Sequence, residues 1–112
     1  CLDTFPFTGV TTTFEALWKN VPVITKSGYN FNSRCGESIL KNANLDKFVA
    51  SNNNEYVDKA VYFASNINEL DKERKMLFNE VEKSPLFNTK EFTKFFCEAL
   101  NNMLKEVNKD YK

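Results

Sequence analysis

The residues of this chain best suited to chemistry form one run, Thr8-Gly-Val-Thr-Thr-Thr-Phe-Glu15, set between a strand-like segment and a helical pattern. In an open α/β sheet, ligands sit beyond the carboxyl ends of the strands, where helix N-termini point. Such an N-terminus carries unpaired N–H groups and partial positive charge, which suits a phosphate. Gly9 permits close backbone approach. Thr11 and Thr12 add hydroxyl donors beside those N–H groups, and Val10 offers its own N–H. Glu15, three to four residues into the helix, directs a carboxylate back toward the same end, where it suits ribose hydroxyls. Spacing alone favours a plainer reading, because Thr12 and Glu15 also satisfy the Thr-x-x-Glu capping box. The run matches neither a Walker A loop nor a dinucleotide fingerprint.

The elements that must hold this run alternate. Leu2 to Phe5 reads as the tail of a strand, Thr12 to Asn20 as a helix, and Val21 to Thr25 as a β-branched strand that tolerates Pro22 at its start. Asn32 to Ala43 reads as a second helix and Phe48 to Ala50 as a third short strand. This alternation implies a parallel sheet with right-handed crossovers and flanking helices. Beyond residue 50 the pattern turns helical. Asn53 to Ser65 places Tyr56, Val57, Ala60, Val61 and Ala64 on one face. Asn66 to Lys83 does the same with Ile67, Leu70, Leu77 and Val81, and Ser84-Pro85 stops it. Asn88 and Glu91 have capping-box spacing for a last helix. Its stripe of Phe92, Phe95, Phe96, Ala99, Leu100, Met103, Leu104 and Val107 reads as core. About 20 residues at about 1.5 Å each make that helix about 30 Å long. The organisation is one unit, α/β over residues 1–50 and helical over 51–112.

Composition narrows the chemistry. The 112 residues carry 15 basic and 15 acidic side chains, so no broad field is available to hold nucleic acid or anionic lipid. No apolar run reaches the roughly 20 residues of a membrane span. No histidine is present, which excludes Ser-His-Asp, Cys-His and His-ligated metal sites within the chain. Cys1, Cys35 and Cys97, odd in number and scattered, read as buried reduced thiols of a cytoplasmic protein. The chain opens without Met on what reads as the end of a buried strand, so it is expected to be a piece of a longer protein. A sheet cut there would leave an open edge and apolar surface, so self-association is expected. Arg34 reads as a salt-bridge residue of its helix, Asp3 as a cap for the following loop and Trp18 as packing. Lys26 and Tyr29 flank Gly28 in a loop at the ligand end of the sheet, without an assigned role.

Five blocks in order then carry a resemblance: Leu2-Asp-Thr-Phe-Pro6, Gly9-Val-Thr-Thr-Thr-Phe-Glu-Ala-Leu-Trp18, Val21-Pro-Val-Ile-Thr25, Asn32-Ser-Arg-Cys-Gly-Glu-Ser-Ile-Leu40 and Ser84-Pro-Leu-Phe-Asn-Thr-Lys-Glu-Phe-Thr93. Together they resemble the C-terminal catalytic region of O-linked N-acetylglucosamine transferases, including bacterial tetratricopeptide-repeat relatives and plant SPINDLY-type proteins. The resemblance implies a partial Rossmann-like lobe of a two-lobed, GT-B type glycosyltransferase, the lobe that binds most of the donor nucleotide. It implies that Gly9, Val10, Thr11 and Thr12 bind the UDP diphosphate and Glu15 the ribose, where some members have Asp. Animal members often carry His, and many bacterial members Gly, at the place of Val10. The family's catalytic Lys and uracil contacts fall before Cys1, so the resemblance places no catalytic residue in these 112 residues. No cofactor is implied, and no metal, because the helix N-terminus and nearby donors can balance the leaving diphosphate. The implied partners are a UDP-sugar donor, with N-acetylglucosamine as the expected sugar, and the Ser or Thr hydroxyl of a protein or peptide acceptor. A fucosyl- or N-glucosyltransferase, and a non-catalytic α/β interaction module, remain the alternatives.

Overall fold

The computed structural model describes residues 1–110, with the side chains of its last helix described as far as Val107. A short parallel sheet lies at its centre. β1 (Thr25–Lys26) pairs in parallel with β2 (Val49–Ala50), Thr25 opposite Val49 and Lys26 opposite Ala50. Leu2 adds a parallel bridge to Ile24, with Asp3 N–H donating to the Ile24 carbonyl at 2.9 Å. The ladder is shorter than the apolar run Val21 to Thr25. Pro22 has no N–H to give, and Val21 N–H is drawn back to the Ala16 carbonyl at 2.9 Å.

Around the sheet stand α1 (Thr11–Trp18), α2 (Phe31–Asn42), α3 (Asn53–Ser65), α4 (Ile67–Lys83) and α5 (Thr89–Asp110), with 3₁₀ turns at Asp46–Phe48 and Pro85–Phe87. The first two helices stop in the same way. Asn20 and Asn44 take left-handed backbone conformations, each at φ 58°. Asn tolerates that region, which lets the residue after it bond back to the helix. Val21 N–H reaches Ala16 and Leu45 N–H reaches the Leu40 carbonyl at 2.9 Å. α2 starts on a reciprocal cap: Asn30 Oδ1 accepts from Ser33 N–H, and Ser33 Oγ accepts from Asn30 N–H, both at 3.0 Å.

One apolar cluster ties the layers together: Leu17 of α1, Ile24 beside β1, Ile39 and Leu40 of α2, Phe48, and Leu77 and Val81 of α4. Phe48 is fully buried, and cutting such a side chain to alanine costs about 3–5 kcal/mol. α3 departs from the sequence reading. Its inward residues are Tyr56, Ala60 and Phe63, while Val57 and Val61 are more than half exposed. The ring of Phe63 stacks obliquely on Phe48, 5.1 Å between centroids, and this contact sets the roll of the helix. Ile67 of α4 is likewise exposed.

α5 departs further. The apolar stripe expected to be core faces outward, with Phe92 at 67% and Leu104 at 61% exposure. The periodicity is real, but nothing among the described residues lies against it. Its start is half of the expected box. Glu91 N–H donates to Asn88 Oδ1 at 3.1 Å, but the Glu91 carboxylate takes the Asn88 amide, because Asn88 N–H turns back to the Pro85 carbonyl. The cysteines are free, yet not buried as expected: Cys1 and Cys97 are exposed and Cys35 is half-buried. Cys97 rides on the uncovered α5, and Cys1 lies at the margin of the sheet. No helix among the described residues is long and apolar enough to cross a membrane.

Candidate functional site

The chain leaves the Leu2 bridge, loops through residues 4–10 and enters α1, so the Thr8–Glu15 run sits at the strand-to-helix turn the sequence assigned to it. The capping box read from Thr12 and Glu15 does not form. α1 begins one residue earlier, at Thr11, behind Val10, and no side chain caps it. The reason lies in Gly9. Its N–H donates to Asp3 Oδ1 at 2.7 Å, and its carbonyl accepts from the Thr13 hydroxyl at 3.0 Å. With Gly9 held so, Phe14 N–H donates to the Val10 carbonyl at 3.1 Å and closes the first turn, which carries Thr12 inside the helix. A β-carbon on Gly9 would stand 2.5 Å from Thr12 Oγ1 and 2.9 Å from Thr13 Oγ1. Close approach favours glycine here, since a β-carbon would displace both hydroxyls.

The result is a helix start with free donors. Val10, Thr11 and Thr12 are exposed. The first N–H groups of a helix have no partner within it, and here none is supplied by a side chain. Glu15 is exposed on the second turn, the fifth residue of α1, and is not among the acidic residues that would flank its first turn. Two openings border this end. One of about 130 Å³ is lined by Asp3, Gly9, Thr12 and Thr13 together with Cys1, Leu2, Thr4 and Val23. A wider one of about 470 Å³ runs past Val10 along α2, lined by Tyr29, Asn30, Phe31, Arg34, Cys35, Ser38 and Ile39. Thr12 belongs to the first, and neither Thr11 nor Glu15 lines either.

Two residues that sequence reasoning passed over build the loop. Thr8 is fully buried; its hydroxyl donates to the Asn32 carbonyl and accepts from Gly36 N–H, both at 3.0 Å, so it pins the loop to α2. Thr13 folds back on Gly9. Both belong to a threonine-rich run, and only the contacts separate them from Thr11 and Thr12. Asp3 caps the loop as expected, accepting from Thr4 N–H at 2.9 Å as well as from Gly9.

The remaining candidates fall into place around it. Arg34 pairs with Glu37 at 3.1 Å within α2. Trp18 packs one face on Phe78 and Phe87, with ring centroids 6.0 and 5.1 Å away, and leaves half its surface exposed. Lys26 donates to Asn53 Oδ1 at 2.9 Å and lies over the Phe5 ring at 4.1 Å. Tyr29 is 88% exposed. Tyr56 reaches in from α3, its hydroxyl donating to the Asp3 carbonyl at 2.7 Å; burial, then the Asp3 charge, pushes its phenol upward.

Comparison with known proteins gives the family and the fold. The family model described as Glycosyl transferase family 41 matches residues 1–96. The chain is 41% identical over 93 residues to a tomato (Solanum lycopersicum) protein named probable UDP-N-acetylglucosamine–peptide N-acetylglucosaminyltransferase SPINDLY, covering 83% of this chain and 10% of that protein. Its Arabidopsis thaliana counterpart of the same name is 38% identical over 94% of this chain. Among solved structures, a mutant O-GlcNAc transferase from Thermobaculum terrenum superimposes with a TM-score of 0.86 at 30% identity, covering 99% of this chain and 21% of that one. The chain thus spans about a tenth of the tomato relative, and the short parallel sheet with its helices is part of a GT-B catalytic region.

Proposed function

The chain belongs to glycosyl transferase family 41, and from that membership we propose that it supplies the diphosphate- and ribose-binding part of a UDP-sugar site. The whole protein transfers N-acetylglucosamine from UDP to Ser or Thr hydroxyls of proteins, in the cytoplasm, beside tetratricopeptide repeats. The observation that carries this reading is the uncapped start of α1 at the end of a parallel segment, with Gly9 behind it and Thr11 and Thr12 exposed in its first turn. Donors fixed before the substrate arrives stabilise charge that develops on the leaving diphosphate. Val10, Thr11 and Thr12 would hold the phosphates with N–H and O–H groups. Glu15, one turn further, would accept from the ribose. The catalytic lysine belongs to a part of the protein outside these residues, and the leaving group is balanced without metal.

Calorimetric titration of the full-length protein with UDP, run beside thermal melts, tests the site. Thr12→Ala and Thr89→Ala both change a threonine in the first turn of a helix, but only the first lies at the proposed site. Losing a hydrogen bond to a charged partner costs about 1.5–3 kcal/mol. At about 1.4 kcal/mol per decade, Thr12→Ala should bind UDP about 10- to 100-fold more weakly, and Thr89→Ala should bind normally. Wild-type UDP affinity in Thr12→Ala would show that the assignment is wrong.

A further inference from the structure

We infer that Asp3 is a positioning residue of the diphosphate site, a role that rests on the donor reading above. Asp3 is only 8% exposed. A buried carboxylate is costly unless hydrogen bonds repay its lost water, and here donors from separate segments do so. Oδ1 accepts from Thr4 N–H at 2.9 Å and Gly9 N–H at 2.7 Å, and Oδ2 accepts from the Thr25 hydroxyl of β1 at 2.7 Å. Its main chain is held as firmly, N–H on Ile24 and carbonyl under the Tyr56 hydroxyl. Two glycines let the chain close in on this carboxylate: a β-carbon on Gly36 would press on Thr25 Oγ1 and stand 2.6 Å from Oδ2, and one on Gly9 3.3 Å from Oδ1.

The consequence falls on α1. With its N–H committed to Asp3 and its carbonyl to Thr13, Gly9 has both polar groups turned inward. The N–H groups of the next residues, Val10 to Thr12, are left without a side-chain cap at the exposed helix start. In this role Asp3 acts through Gly9. It fixes the peptide from which the phosphate-binding N–H groups follow.

The test measures UDP affinity by calorimetry, with thermal melts, on the full-length protein. Asp3→Ala removes the acceptor for Gly9 and should weaken UDP binding about tenfold. In Asp3→Asn the amide oxygen still accepts from Gly9 and the amide N–H2 donates to the Thr25 hydroxyl, so affinity should stay within about threefold of wild type. Leu40→Ala, a truncation of a fully buried core residue in α2, should lower the melting temperature without changing UDP affinity. The inference is overturned if Asp3→Ala binds UDP like wild type, if Asp3→Asn is as weak as Asp3→Ala, or if Leu40→Ala is equally weak. If Asp3→Ala does not fold, Gly36→Ala presses on Oδ2 and on its donor Thr25 Oγ1 without removing the carboxylate, and wild-type affinity there overturns the inference equally. Thr12→Ala separates the two readings. If it binds UDP normally, the donor site itself is wrong and this role falls with it. If it binds weakly while Asp3→Ala binds normally, only the role of Asp3 falls.

Discussion

Ser27 donates its hydroxyl to Glu37 at 2.5 Å, tying the loop after β1 to the middle of α2. Glu37 is buried, and its other oxygen takes Lys41 Nζ at 2.8 Å, one turn further along. Lys41 first, then Ser27, and after them Arg34 hold the Glu37 carboxyl down at about 2, against burial, which acts the other way. The clasp joins the chain that follows β1 to the helix that Thr8 also grips.

This clasp makes acid stability measurable. The Glu37 pKa is lower in the folded chain than its ordinary 4.5. Its contribution is therefore complete above pH 4.5 and is lost as pH falls from there toward about 2. The Arg34 and Lys41 side chains are 59% and 51% exposed, so water screens much of the attraction. About 1–2 kcal/mol should disappear across that window. Denaturant unfolding at a series of pH values should show it in the wild type, and Glu37→Gln should give a flatter profile. Equal acid slopes for the two would refute the clasp.

The exposed face of α5 should make the 112-residue chain associate with itself. Phe92, Phe95, Phe96, Leu100, Met103 and Leu104 stand at 45% exposure or more along one stripe, and apolar stripes of this kind draw partners. Sedimentation of the dilute chain should give more than a monomer's mass, and replacing Phe96 and Leu100 together by Ser should reduce it. A clean monomer at the outset contradicts the expectation.

By itself the chain should not transfer sugar. It covers 21% of the Thermobaculum transferase chain it superimposes on, and the resemblance puts the catalytic lysine outside it. Incubation with UDP-N-acetylglucosamine and an acceptor peptide, followed by UDP release, should match a blank without protein. Clear turnover would mean that these residues contain a base of their own.

Order and type of element were legible along the chain because periodicity and punctuation are local. The alternation up to residue 50, the helical second half and the stop at Ser84-Pro85 all appear in the expected order, though the strands are shorter than the pattern placed them: only Thr25 of the run over residues 21–25 lies in β1, and residues 2–5 keep a single bridge. The family was legible too, since five blocks in sequence order specify it more sharply than any contact. The roll of α3 was not, because Val57 and Phe63 are both apolar, and contacts far along the chain, Phe48 on Phe63 and the Asp3 carbonyl on Tyr56, select between faces.

By itself the sequence determined the strand-to-helix run, its glycine and its threonines, and with them the residues we propose for the donor phosphates. Tertiary structure alone decided what each threonine does. Thr8 is consumed by α2 and Thr13 by Gly9, while Thr11 and Thr12 stay exposed. It also decided that Thr12 and Glu15 form no capping box. The physical reason is a competition the local pattern does not contain: Asp3 reaches Gly9 from a segment that the sheet holds in place, and the helix starts one residue early to suit that bond.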